Sequence, residues 1–228
     1  MNLIFENIIF LSSEIILVLT AVVLLMVGAF KKKNNAKIVV YFSFIVLILL
    51  SIMEMLIPWS SVAIFNNSII QNGYTRFVKI MIYFSSSFAI ILSSRWLMKY
   101  DDKAFEYPIL ILFSVLGMSL MVSANDLITL YLAIELQSLP LYVLASFKRN
   151  NTESSEAGVK YFVLGALSSS LFLFGASIVY GFSSSVEFGE IYQSLQASDI
   201  NTALIIGLVF VLSGLIFKIS AVPFHMWT

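Results

Sequence analysis

No cysteine occurs in this chain of 228 residues, and histidine occurs once, as His225. The first absence excludes a disulfide, a cysteine-ligated iron–sulfur cluster and covalently attached haem. The second excludes a histidine-rich metal site and a bis-histidine haem. Charge is scarce too, at 11% of residues, where soluble domains carry about 25%. The formal net charge is zero, which argues against a nucleic-acid partner. No nucleotide fingerprint or flavin site is visible. What is abundant is apolar surface, with 60% hydrophobic residues and a mean hydropathy of +0.96. The expected class is an all-α polytopic membrane protein whose first partner is the lipid bilayer.

Seven hydrophobic segments lie at about 13–30, 38–57, 77–97, 107–124, 127–147, 158–182 and 203–222. Each is near the roughly 20 residues that a spanning helix needs. The links between them hold the Asn, Ser, Pro and charge clusters of loops. The first segment lacks a basic leader and is followed by Lys31, Lys32, Lys33 and Lys37, the pattern of a signal anchor rather than a cleaved signal. Lys and Arg crowd the links near 31–37, 95–106 and 148–157, while the links at 58–76 and 183–202 hold only Arg76, with Lys79 just inside the next helix. By the positive-inside rule the N-terminus is external and alternate links are cytoplasmic.

Two ionisable residues stand deep inside apolar runs, where a charge costs several kcal/mol and marks function by default. Glu135 is about 12 Å into the fifth segment at 1.5 Å per residue. At 100° per residue it shares a face with Tyr131, Ser138, Tyr142 and Ser146, a polar stripe that belongs to a bundle interior or a wet cavity. Pro140 frees the carbonyl of Leu136 and offers a local opening of that helix. Interhelical glue by a neutral carboxylic acid is the competing reading of Glu135. Lys218 lies about fifteen residues into the seventh segment, on a face with Gly207, Val211 and Gly214. Pro223 follows and favours an ended or broken helix, which would set Lys218 at a helix C-terminus, where the dipole favours a cation. The competing reading makes Pro223, His225 and Trp227 interfacial markers. In the sixth segment Gly158, Gly165, Ser169 and Ala176 form a small-residue stripe for close packing. Lys160 lies on the opposite side near the segment's start, where snorkelling is as good an account as function. Glu153 and Glu156 read as solvated charges at a helix start.

The runs ELQSLPLYVLASF, SSEAGVKYFVLGALSSSLFLFGASIVYG and GLIFKISAVPFHMW resemble the subunit N family of NADH-quinone oxidoreductase (respiratory complex I), whose mitochondrial counterpart is NADH dehydrogenase subunit 2. The likeness is specific over about 126–227 and weaker over the first three helices. The related antiporter-like subunits and the Mrp cation antiporters usually carry Trp before the glutamate, whereas Ile134 stands here. The resemblance implies a fold of about fourteen helices with two inverted repeats, each with one broken helix. By position, Glu135 matches the family's helix-five glutamate, Lys160 the helix-six lysine and Lys218 the broken-helix lysine, all three serving proton translocation. The resemblance divides the chain into an N-terminal three-helix segment, 1–106, and a first antiporter-like repeat, 107–228, that stops inside its broken helix. Only the N-terminal half of the family protein is covered. A split gene, a frameshifted product and a fragment all fit, and the chain is expected to need a partner polypeptide carrying the remaining helices.

The implied activity is that of a non-redox membrane subunit of a translocase. It couples electron transfer from NADH to quinone to proton pumping, with no cofactor in this chain. NADH, FMN, iron–sulfur clusters and quinone would be handled by other subunits, and the other membrane subunits would be its partners in a bacterial inner membrane or, alternatively, a mitochondrial one. Opposite charges held close keep Glu ionised and Lys protonated; separation in an apolar medium favours the neutral form of each. A sodium/proton antiporter subunit and a membrane scaffold stay open as alternatives. Sodium-dependent transport would mark the first, and tolerance of Ala or Gln at Glu135 and Lys218 the second.

The Lys and Arg bias makes a direct prediction. With no native cysteine present, an impermeant thiol reagent added from outside should label a cysteine placed at Ser198 and not one at Asn151. The reverse pattern would overturn the topology.

Overall fold

The computed structural model describes residues 9–30, 35–148, 150–197, 202–222 and 224–225, except 101–104. The elements run α1 (Ser12–Phe30), α2 (Asn35–Leu56), β1 (Val62–Ile64), β2 (Ile69–Gln71), α3 (Gly73–Tyr100), α4 (Glu106–Ser123), α5 (Leu127–Ala145), α6 (Thr152–Ser183), α7 (Phe188–Ala197) and α8 (Thr202–Lys218). Helices α1 to α6 are long and apolar enough to cross a membrane, and α8 is a shorter apolar helix. Their outward faces carry Val23, Leu49, Phe84, Leu92, Val163 and Val209, all about half exposed or more. Apolar residues on the outside suit hydrocarbon, the reverse of a water-soluble helix. The chain is an all-α integral membrane protein.

Two compact units form. One comprises residues 1–64 and 70–123, the other 65–69 and 124–228. In the first, α2 packs on α3, and α4 packs on α1, α2 and α3. This division by packing differs in kind from the expected repeat boundary at 106/107. In the second unit, α6 is the central helix and packs against α5, α7 and α8. Its core is Leu127, Phe172, Val179, Ile191, Leu204 and Val211.

Local chemistry sets the element ends. Asp126 caps α5: its carboxylate accepts the Thr129 N–H at 2.6 Å and the Thr129 hydroxyl at 2.8 Å, satisfying an orphan donor of the first turn. Asn151 caps α6 by accepting the Ser154 N–H at 2.9 Å. That cap starts α6 six residues before the apolar run, so Glu153 and Glu156 lie in its first turns. The 58–76 link is more than a loop. It holds the short strands β1 and β2, joined through Phe65, Asn66 and Asn67 in the left-handed region, and its last four residues open α3. The 183–202 link holds α7, whose Ile191 and Leu195 pack onto the second unit's core. At ten residues, α7 is too short to register as a span.

The seventh segment stops earlier than its hydropathy predicts. Its helix ends at Lys218, not near 222. Ser220 adopts φ 54°, the Ala221 N–H donates to the Ile216 carbonyl at 3.1 Å, and the Ser220 N–H donates to the Phe217 carbonyl at 3.1 Å. These paired bonds with a left-handed residue are a Schellman cap, which closes a helix without needing a proline at the break. Pro223 itself lies outside the described residues.

The small-residue stripe does what its spacing suggests. A Cβ at Gly158 would collide with Ser146, and one at Gly165 with the Tyr142 hydroxyl, so both glycines admit α5. Across α6 and α8, a Cβ at Gly175 would lie 2.6 Å from the Gly207 carbonyl oxygen. One at Gly214 would lie 2.8 Å from the Phe172 Cβ. Ser168 uses this proximity to donate to the Gly214 carbonyl at 2.9 Å. Gly214→Val should therefore cost roughly 1–3 kcal/mol through overpacking, read as a lower midpoint of thermal unfolding in detergent. Asp126→Ala should cost about 1 kcal/mol through loss of its cap. An unchanged midpoint in the glycine variant would show that α6 and α8 are not in this close contact.

Candidate functional site

The polar stripe of α5 faces the interior of the second unit. Glu135 is the ninth residue of a 19-residue helix, so it sits near the middle of the span. Its Oε1 accepts a hydrogen bond from the Ser169 hydroxyl of α6, and Ser169 also contacts the carbonyl of Gly165 at 3.0 Å. From α8, the Lys218 Nζ lies 3.8 Å from the same Glu135 oxygen. It donates to the Ser138 hydroxyl and to the Tyr142 hydroxyl, each at 3.0 Å. The ammonium also lies 5.6 Å from the centroid of the Tyr142 ring, within cation–π range.

Each piece has a local cause. The Schellman cap makes Lys218 the last residue of α8, where the negative end of the helix dipole favours a cation. Glu135, Ser138 and Tyr142 fall on one face at spacings of three and four. Pro140 leaves α5 continuous to Ala145 and opens no gap in the described helix. Ser169 reaches Glu135 because Gly165, one turn earlier, lets α5 and α6 approach. Tyr131 stacks on Phe172 with ring centroids 6.0 Å apart. Together with Ile134, Glu135, Ser168, Ser169, Gly214 and Lys218 these rings line a cavity with room for about one water molecule.

At 3.8 Å the Glu135–Lys218 contact is an ion pair beyond direct hydrogen-bond range. Side-chain exposures of 22% and 17% leave it neither fully buried nor free. The arrangement holds a carboxylate and an ammonium on different helices, with hydroxyls bridging toward each. Lys160 is not brought to this site. Its side chain is 68% exposed and pairs with Glu156 at 2.5 Å along α6, an exposed pair of the kind that contributes little to stability. Among the described residues no group of three His, Cys, Asp or Glu is placed to hold a metal ion.

Sequence reasoning assigned Ser169 to packing alone and missed its bond to Glu135. It also passed over four buried charges of the first unit, Glu14, Glu54, Arg76 and Lys79. Arg76 entered as a loop charge marking topology. It is instead the fourth residue of α3 and fully buried. The available signal was Glu14 and Glu54, two acids inside otherwise apolar runs.

The chain is similar to known membrane proteins in sequence and in fold. Residues 124–228 match the family model described as NADH:quinone oxidoreductase/Mrp antiporter, TM. Among solved structures, a chain of respiratory complex I from Thermus thermophilus with bound aureothin superposes with a TM-score of 0.78 at 28% identity, covering 95% of this chain and 46% of that one. A chain of the Mrp complex from Dietzia sp. shares the fold with a TM-score of 0.71 at 19% identity, over 98% of this chain and 42% of that one. Over residues 124–228 the chain is thus similar to the antiporter-like family of membrane subunits. The relatives it matches in sequence are NADH-quinone oxidoreductase subunits N. That of Parvibaculum lavamentivorans is 53% identical over 171 residues, 75% of this chain and 35% of the relative. That of Rhodospirillum rubrum is 49% identical over 164 residues, 72% and 34%. The chain thus spans about a third of the length of the curated relatives it matches.

The geometry makes Tyr142 a holder of Lys218. In a double-mutant cycle, Tyr142→Phe and Lys218→Met should show an interaction energy of about 0.5–1.5 kcal/mol, read from thermal unfolding in detergent. Strictly additive losses would show that the hydroxyl does not hold the ammonium.

Proposed function

We propose that the chain is a proton-translocating membrane subunit of a respiratory NADH-quinone oxidoreductase, with Glu135 and Lys218 as its working pair. The observation that carries this reading is the meeting of a mid-helix carboxylate and a helix-terminal lysine inside one unit, in a chain about half identical to subunits N. The pair needs no redox group of its own. Proximity favours the ionised state of both residues, and separation in an apolar medium favours the neutral state of both. A change in spacing driven from elsewhere in the complex then loads or releases one proton. Ser138 and Tyr142 give Lys218 a hydrogen-bonded alternative to Glu135, and Ser169 gives Glu135 an alternative to Lys218, so neither group is stranded when they part. Lys160 serves as a peripheral proton carrier in the third turn of α6.

The same reading places residues 107–228 as the first repeat of an inverted pair and residues 1–106 as an N-terminal addition. It places the chain in a bacterial inner membrane with its N-terminus outside, among the other membrane subunits of the complex. NADH, FMN, iron–sulfur clusters and quinone stay with other subunits.

In the assembled complex, Glu135→Gln and Lys218→Ala should each lower the number of protons moved per electron, while Lys160→Ala should have the smaller effect. Proton release and NADH oxidation measured together in sealed vesicles check this. Unchanged pumping per electron at normal turnover in both central variants would sink the assignment.

A further inference from the structure

The first unit contains a second set of buried charges that the proposed function does not use. Its members meet in one continuous chain. The Lys79 Nζ lies 2.5 Å from Glu14 Oε1. Glu14 Oε2 lies 2.8 Å from the Ser13 Oγ, which lies 2.6 Å from Glu54 Oε1. Glu54 Oε2 lies 3.0 Å from Arg76 Nη1. Ser13, Arg76 and Lys79 are fully buried, Glu54 is 1% exposed and Glu14 is 4% exposed. The five residues come from three helices, α1, α2 and α3. Helix α4, which packs on all three, adds only serines to its later turns. Tyr83, one turn beyond Lys79, is the neighbouring buried titratable side chain on α3.

Proton counting makes this chain informative. Ser13 has one hydroxyl proton and two carboxyl oxygens within hydrogen-bond distance. It can donate to only one of them. The other short O···O contact brings together two acceptors in an apolar setting, unless that carboxyl carries a proton and donates to Ser13. The geometry therefore calls for one protonated carboxyl between Glu14 and Glu54. The proton for that carboxyl comes from Lys79 or from outside.

A further observation points to water at this place. Arg76 Nε and Nη2 and Gln71 Nε2 are buried with no hydrogen-bond partner among the described residues, although the Arg76 guanidinium lies 5.4 Å from the centroid of the Phe10 ring. All three are donors, so they call for an oxygen acceptor of the water class. They also lie near helix ends. Arg76 and Lys79 occupy the first two turns of α3, within about 10 Å of its start, and Glu54 is third from the end of α2.

We propose that Lys79, Glu14, Ser13, Glu54 and Arg76 form a second, water-fed proton-sharing centre in the first unit. It holds one proton on the Glu14–Glu54 pair through Ser13 and takes up another on Lys79. In the empty state Lys79 is an amine, one carboxyl is protonated and Arg76 balances the remaining carboxylate. Loading transfers a proton from a hydronium ion to the Lys79 nitrogen, leaving water and an ammonium beside Glu14. Movement within the pair is a concerted exchange. The Glu54 O–H bond breaks as a Ser13 O–H forms, and the former Ser13 O–H breaks as a Glu14 O–H forms. The charge of the pair does not change in that step. This centre is independent of Glu135 and Lys218.

Infrared difference spectra of native membranes carrying the chain, recorded in ordinary and heavy water, test the proposal. The expected result is a deuterium-sensitive carbonyl band of a protonated carboxylic acid. It should survive Glu135→Gln and Lys218→Ala, disappear in Glu54→Gln, and move to higher frequency in Ser13→Ala, where the bridging hydroxyl is lost. Loss of the band with Glu135→Gln alone, or a band unchanged in both Glu54→Gln and Ser13→Ala, would overturn it. Ser13→Ala removes one oxygen from a small side chain and keeps the test valid should the glutamate variant not accumulate. Because the pumping variants act on other residues, failure here leaves the Glu135–Lys218 reading standing.

Discussion

A lysine ammonium among apolar helices has to be compensated from inside the protein, and the second unit is organised around that requirement at Lys218. Hydrocarbon offers no water to solvate the charge. Compensation comes instead from the carbonyl end of α8, from Glu135, and from the hydroxyls of Ser138 and Tyr142. Each source imposes a structural condition. The first needs α8 to stop at Lys218, which the cap at Ser220 arranges. The others need α5 and α8 held against α6 closely enough for short side chains to meet. The glycines at 165, 175, 207 and 214 supply that closeness, because a Cβ at any of them would strike the facing helix. Packing and electrostatics are thus one problem here.

Two of the Glu–Lys contacts, Glu135–Lys218 and Glu14–Lys79, differ in how they are held. Glu135 and Lys218 sit 3.8 Å apart, partly exposed to a small cavity, and each has a hydroxyl partner besides the other. Such a pair can separate without leaving a bare charge. Glu14 and Lys79 sit 2.5 Å apart and are buried. Separating them would strand a charge at a cost of several kcal/mol.

The family likeness is uneven along the chain. The match to the family model begins at residue 124, at the start of the second unit, and there the quoted motifs are most specific. The first unit is the less specific part of the likeness, yet it holds the denser set of buried charges. Buried ionic groups persist only where partners satisfy them, so the chemistry of these helices is as constrained as that of the repeat that follows.

Much of this protein was legible without a structure. Composition fixes the class, since so few charges cannot cover a soluble surface. The seven apolar runs became helices α1 to α6 and α8, because a backbone in hydrocarbon has no cheaper way to pair its amides. The polar face of α5 followed from periodicity, and it does turn inward. Other features were settled by contacts between residues distant in sequence. Hydropathy carried the last segment past Lys218, whereas hydrogen bonds at Ile216, Phe217, Ser220 and Ala221 end it there. Helix α7 and the strands β1 and β2 are too short for an apolar-run reading to detect. Arg76 looked like a loop charge until tertiary packing set Glu54 beside it. Ser169 looked like a spacer until the approach of α5 made it a donor to Glu135. Period and composition determine which face of a helix avoids lipid, but not which atoms on two such faces come within hydrogen-bond distance. That depends on how closely the helices approach and where they end, and only the folded chain decides it.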